Sequence, residues 1–122
     1  MKNVVTTVIA EVGVNHNGSV DNAKRLIDLA ADAGADCVKF QTFKADRLVT
    51  PDAQKAAYQK DSNEENIYQY EMLKKLELTH ENFGLLQGHC KRRRIEFLST
   101  GFDEESIRFL VSIGQKMFKV PS

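Results

Sequence analysis

The sequence predicts an α/β fold built on a parallel sheet, in the order βα βα βα β. Three observations carry this. Short β-branched or aromatic runs alternate with segments whose apolar residues recur at helical spacing. Strands alternating with helices need crossover connections, and crossovers make neighbouring strands parallel. Polar residues gather at the C-terminal ends of the runs, where parallel sheets bind ligands.

The first strand is read roughly as Val5–Val12. It ends in a lone carboxylate, Glu11, followed by the polar turn Asn15-His16-Asn17-Gly18. Ser19 caps the first helix, with Asp21 in the first turn where the helix dipole favours an anion. Ala23, Leu26, Ile27, Ala30 and Ala33 form its apolar face, and Gly34 ends it. The second strand is Asp36–Thr42; alternation places Lys39 and Gln41 on one side and Val38 and Phe40 on the other.

Phe43 to about Asn66 is irregular, with Pro51 and the polar run KDSNEEN, and a loop of that length is usually functional or mobile. Ala53–Tyr58 has the composition of a short helix, and Ile67–Leu76 is weakly helical with Tyr70, Leu73 and Leu76 on one side. Thr79 caps the next helix; Phe83, Leu86 and Cys90 line its inner face, and Lys91–Arg94 reads as its solvated C-terminal end. The third strand is Ile95–Thr100. Asp103 caps a helix with Ile107, Leu110 and Val111 toward the core and Gly114 at its end. Met117–Val120 is the fourth strand.

Composition excludes several classes. Lysine plus arginine balance aspartate plus glutamate at 17 each, so no bulk attraction to nucleic acid or an anionic membrane follows. The basic run Lys91–Arg94 lacks interleaved aromatics and does not read as a nucleic-acid site. No apolar run is long enough to span a membrane, and the N-terminus does not read as a signal peptide. Cys37 and Cys90 sit apart in apolar patterns, which fits buried reduced thiols of a cytoplasmic protein.

The strand ends supply Glu11; Lys39, Gln41 and Thr42; Ser99 and Thr100; and Lys119 with Ser122 just beyond. A lone lysine near a strand end usually snorkels to water. Two lysines from different strands, both inside apolar runs, point instead to a site for a small anion. Hydroxyls orient the remaining oxygens, and a carboxylate moves a proton or fixes a sugar hydroxyl. Ser99 and Thr100 have the competing reading of turn caps, and Asn15 and Asn17 read as turn-formers. His16 divides evenly between a site and loop packing; His80 and His89 read as surface residues.

At these residues the chain resembles the sialic acid synthase (nonulosonate synthase) family. The resemblance rests on IAEVGVNHNG (9–18), AGADCVKFQTFKADRLVT (33–50), YEMLKKLEL (70–78), IEFLSTGFD (95–103) and FKVPS (118–122), in the family's order along nearly the whole chain. It implies a (β/α)8 barrel followed by a small antifreeze-like domain. It also implies a cytoplasmic enzyme, a homodimer when full length, that condenses phosphoenolpyruvate with a 2-acetamido sugar such as N-acetylmannosamine and uses a divalent metal, Mn²⁺ or Mg²⁺. By motif, Lys39, Thr100, Lys119 and Ser122 would hold phosphoenolpyruvate, Glu11 would contact the sugar or assist proton transfer, and Gln41 and Phe102 would line the substrate site. A family asparagine falls on Asn63 or Asn66. Gly101 stands where the family usually has proline, which is expected to loosen the loop before the last helix.

The family's metal-binding histidines and antifreeze-like domain lie beyond Ser122. A (β/α)8 barrel takes about 250 residues, so this chain is read as the N-terminal half of one, a fragment expected to be inactive alone. The legionaminate, neuraminate and pseudaminate precursors all stay open. So do two other readings: a phosphoenolpyruvate–aldose condensing barrel of another kind, and a non-catalytic half-barrel that binds an anion or a partner. The strand edges and an inner face containing Ile9, Phe40, Leu98 and Val120 are expected to be left open, so that the isolated chain self-associates or docks onto missing sequence.

Overall fold

The computed structural model describes residues 5–50 and 64–122. Three strands, β1 (Ile9–Gly13), β2 (Cys37–Thr42) and β3 (Glu96–Gly101), form one parallel sheet in the order β1-β2-β3. Five helices accompany them: α1 (Val20–Asp32), α2 (Ala45–Leu48), α3 (Glu64–Leu76), α4 (His80–Arg92) and α5 (Glu104–Ser112). The α/β class and the parallel strands are as the sequence predicts.

The helix starts follow local chemistry. The side chains of Ser19, Thr79 and Asp103 accept from the amides of Asn22, Asn82 and Ser106, satisfying N–H groups that have no partner inside the helix. Two short helices' worth of chain after β2 were not foreseen. α2 forms because the first free amides around it, Lys44 N and Ala45 N, donate to Asp103 Oδ2 at 2.9 Å and Glu77 Oε1 at 2.7 Å. Its Asp46 then accepts from the Tyr70 hydroxyl at 2.5 Å, tying α2 to α3. The segment 53–58 lies outside the described residues.

The core lies on one side of the sheet. Ala23, Ile27 and Ala30 of α1 and Phe83, Leu86 and Cys90 of α4 pack on Val12, Val38 and Phe40. Phe40 is stacked on Phe97 with ring centres 5.7 Å apart, and Phe83 meets Phe40 edge-on at 6.5 Å. Phe40 therefore belongs to the helix-covered layer and not to the opposite face where it was expected. The reason is its alternation with Val38, which fixes both on the apolar side.

Other expectations fail for identifiable reasons. The first strand begins at Ile9 and not Val5, because β2 begins at Cys37 and residues before Val8 have no partner to pair with. Ala33, Ile107 and Val111 are exposed; on α5, Ser106 and Leu110 face inward instead. The basic end of α4 is not simply solvated: Arg93 pairs with Asp28 at 2.7 Å and with Asp32 at 2.5 Å, clamping α4 to α1, and His89 also meets Asp28 at 2.8 Å. Gly101 is no loose hinge. It is the last paired residue of β3, and a methyl group there would lie 2.7 Å from Ile107 Cγ1, so α5 packs close because the residue is glycine.

The expected fourth strand, Met117–Val120, is absent. Residues 115–122 carry no helix or strand, and Met117, Phe118 and Val120 are exposed. The edge it would use is occupied: the Gln115 side chain accepts from Ser99 N at 3.0 Å and donates to Ser99 O at 2.8 Å.

Candidate functional site

The uncovered face of the sheet carries the polar cluster. The parallel register sets Glu11 directly beside Lys39, and Lys39 Nζ meets Glu11 Oε2 at 2.6 Å. The lysine side chain is 14% exposed and the glutamate 51%. A largely buried ammonium needs an opposite charge, and Glu11 supplies one while keeping half its surface toward solvent. The ammonium retains further donors for a second anion.

The bulge between Glu11 and Gly13 shapes the opening. Gly13 has φ +57°, a conformation that favours glycine, and a methyl group there would lie 3.1 Å from Glu11 Oε1 and 3.5 Å from Gln41 Nε2. Carboxylate and amide thus approach each other across a residue with no side chain. Gln41 is in register with Thr100, which puts the Thr100 side chain on the same face. Thr100 Oγ1 is buried and has no hydrogen-bond partner among the described residues. Buried hydroxyls normally find partners, so an orphan beside a lysine, a carboxylate and an amide marks a place for a ligand oxygen.

The structure brings Glu11, Lys39, Gln41 and Thr100 to one face. The other expected residues stand apart from them. Phe102 is half-buried just past β3, its amide donating to Thr42 O at 3.0 Å. Lys119 and Ser122 are exposed on the unpaired terminal segment and make no hydrogen bond or ion pair among the described residues. Asn63 lies outside the described residues, and Asn66 falls in the first turn of α3. Ser99 is not a cap: its hydroxyl meets Thr42 Oγ1 at 2.6 Å on the helix-covered side.

The loop after β1 is rigidly built. His16 is fully buried, with Nδ1 accepting from Gly18 N at 2.9 Å, and burial pushes its pKa below the ordinary 6.5. Its Nε2 is buried without a partner. Gly18 has φ +78°, and any side chain on it would overlap the Lys75 carbonyl, so the end of α3 seats directly on this loop. His80, expected at the surface, is half-buried and stacks on Phe109 with ring centres 4.0 Å apart. Sequence pattern gave no sign of either role, since both depend on what packs above a loop or a helix start.

The described residues do not assemble a set of metal donors. No three His, Cys, Asp or Glu side chains converge, His16 Nδ1 is engaged by a backbone amide, and Glu11 is engaged by Lys39. Cys37 and Cys90 are free and buried, which pushes their thiols up to about 11 and about 12. No helix among the described residues is long and apolar enough to cross a membrane.

Comparison with known proteins now bears on this geometry. The NeuB family matches residues 26–122. The chain is 56% identical over 94% of its length to the N,N'-diacetyllegionaminic acid synthase of Legionella pneumophila, covering 32% of that protein. It is 49% identical over 96% of its length to the enzyme of that name from Campylobacter jejuni, covering 35% of it. Its fold matches the crystal structure of the N-acetylneuraminic acid synthetase of Leptospira borgpetersenii in complex with citrate, with TM-score 0.72 and 29% identity over 94% of this chain and 36% of that one. The chain thus spans about a third of the length of the curated relatives it matches.

Proposed function

This chain belongs to the NeuB family, and from that premise we propose that it forms the anion-holding part of the active site of a nonulosonate synthase, within a (β/α)8 barrel. Such an enzyme joins C3 of phosphoenolpyruvate to the aldehyde carbon of an open-chain acetamido sugar. Water then adds at C2 and phosphate leaves with cleavage of the C–O bond. The relatives at 56% and 49% identity are named for N,N'-diacetyllegionaminic acid. We therefore favour a legionaminate-type product, whose acceptor sugar already carries both acetamido groups, over N-acetylmannosamine.

The observation that carries this reading is the Glu11–Lys39 pair at 2.6 Å beside the unpartnered Thr100 hydroxyl. Lys39 presents positive charge to the phosphate or carboxylate of phosphoenolpyruvate, with Lys119 and Ser122 as further holders. Thr100 Oγ1 gives the same anion a directed hydrogen bond. Gln41 and Phe102 border the sugar. Glu11 fixes a sugar hydroxyl or moves a proton, its exposed half facing the acceptor. No step is routed through a metal, because these residues do not fit one.

Kinetics of the protein at the length of its relatives test the assignment. Lys39→Ala is expected to raise the KM for phosphoenolpyruvate at least tenfold while leaving the KM for sugar within about threefold, as expected when a charged hydrogen bond worth about 1.5–3 kcal/mol is lost. An unchanged KM for phosphoenolpyruvate removes Lys39 from the anion site. Product from an arabinose or erythrose phosphate, with none from acetamido sugars, would assign the chain to another phosphoenolpyruvate–aldose condensing barrel.

A further inference from the structure

The outer edge of β3 is held by a side chain. Both backbone groups of Ser99 point away from β2 and bond to one Gln115 amide, N–H to Oε1 at 3.0 Å and C=O to Nε2 at 2.8 Å. A primary amide offers one acceptor and adjacent donors in a plane, so it reproduces what a neighbouring strand would offer that residue. Gln115 Nε2 also donates to Met117 O at 3.1 Å, which holds the following chain to the same amide. Among the described residues, the amides of Phe118, Lys119 and Val120 find no acceptor.

The displaced segment nevertheless has the composition of a strand. Met117, Phe118 and Val120 are apolar and exposed, and Pro121, which lacks an N–H, stands where a strand would end. Beside the β3 edge runs a groove of about 670 Å³, lined by Gly84 and Gly88 of α4, Ile95, Phe97, Ile113 and Met117. The two glycines leave open space on the helix at that point, with nothing but the Arg92 side chain within 4 Å of either.

We propose that Gln115 is a removable latch on the β3 edge: while its amide holds Ser99, Met117–Val120 stays off the sheet, and when it lets go that segment adds as a fourth parallel strand. Alternation then turns Phe118 and Val120 toward the groove over Gly84 and Gly88, and Lys119 toward the face that carries Glu11, Lys39 and Thr100. The latch also protects an open edge, which would otherwise template association between chains. The strand exchange stands on these contacts alone. The delivery of Lys119 to an anion rests on the function proposed above.

Amide hydrogen exchange followed by NMR on this chain tests it, with Gln115→Ala as the released form. Protection at Phe118, Lys119 and Val120 is expected to rise at least tenfold, while Ser99 stays protected because a strand replaces the amide. Loss of protection at Ser99 with none gained at 118–120 overturns the proposal, and so does no change at either place. The amides of β2 serve as the folding control. Should they too lose protection, Gln115→Glu decides: its neutral acid keeps both contacts to Ser99 and its carboxylate loses the donor. Protection factors at 118–120 are then expected to rise as the carboxyl ionises, and a flat profile overturns the latch. Titration with inorganic phosphate separates the two readings. If the strand forms and the Lys119 signals ignore phosphate, the latch stands and the anion site fails.

Discussion

On β2, Val38, Phe40 and Thr42 look toward the helices, while Lys39 and Gln41 look the other way. The helix side is complete: the Phe40–Phe83–Phe97 cluster is packed, and the two buried hydroxyls, Thr42 and Ser99, bond to each other at 2.6 Å. The opposite side is left incomplete. Thr100 has a buried oxygen with no partner, and Lys39 shares one carboxylate that is half in solvent. The same strands thus carry one face whose groups satisfy each other and one whose groups await something else. Folding stability resides in the first, and the chemistry resides in the second.

The largest effect is expected on the complete face. Phe83 is fully buried among Phe40, Phe97 and Phe109, and Phe83→Ala should cost about 3–5 kcal/mol in denaturant unfolding. A loss below about 1 kcal/mol would mean that this cluster is not what holds the sheet to α4. The next test applies one substitution to both faces. Thr42→Val leaves the Ser99 hydroxyl buried and unpaired and should cost about 1–3 kcal/mol. Thr100→Val removes an oxygen that already lacks a partner, so stability should hold or rise, while affinity for phosphoenolpyruvate in the longer protein falls. Equal losses at the two threonines would erase the distinction between the faces.

Glu11→Gln should shift stability by less than about 1 kcal/mol, because the carboxylate is half-exposed. In the longer protein it should lower turnover more than phosphoenolpyruvate affinity; wild-type turnover would exclude a proton-transfer or charge role. The smallest effect concerns pH. Burial holds the folded His16 pKa below 6.5, so the unfolded chain takes up the proton first, and stability should fall as pH drops below about 7. His80 is lowered by burial as well and contributes the same sign. His16→Asn, which keeps an acceptor for Gly18 N, should shallow the slope in chemical denaturation measured from pH 7 to pH 5. An unchanged slope would assign it to other groups.

Much of the complete face was legible in sequence, because period and capping are local. Ser19, Thr79 and Asp103 announced the helix starts, and the spacing of Phe83, Leu86 and Cys90 announced the buried side of α4. The site was legible as a set of residue types at strand ends. Glu11 and Lys39 were each visible, but their direct pairing depends on the register of β1 against β2, which no local pattern fixes. Arg93 read as a solvated terminus because Asp28 and Asp32 lie more than fifty positions earlier in the chain.

The sequence by itself determined the alternation of strands and helices, the helix starts, and which side of β2 is apolar, since each follows from the dihedral period and from bonds a few residues apart. Tertiary structure decided where the strand-like terminal segment went. Whether Met117–Val120 pairs depends on what already holds the backbone of Ser99, and Gln115 reaches that backbone only after α5 has folded and turned the chain at Gly114. A strand is a property of two segments, so its composition is written in one of them and its existence in the contact between both.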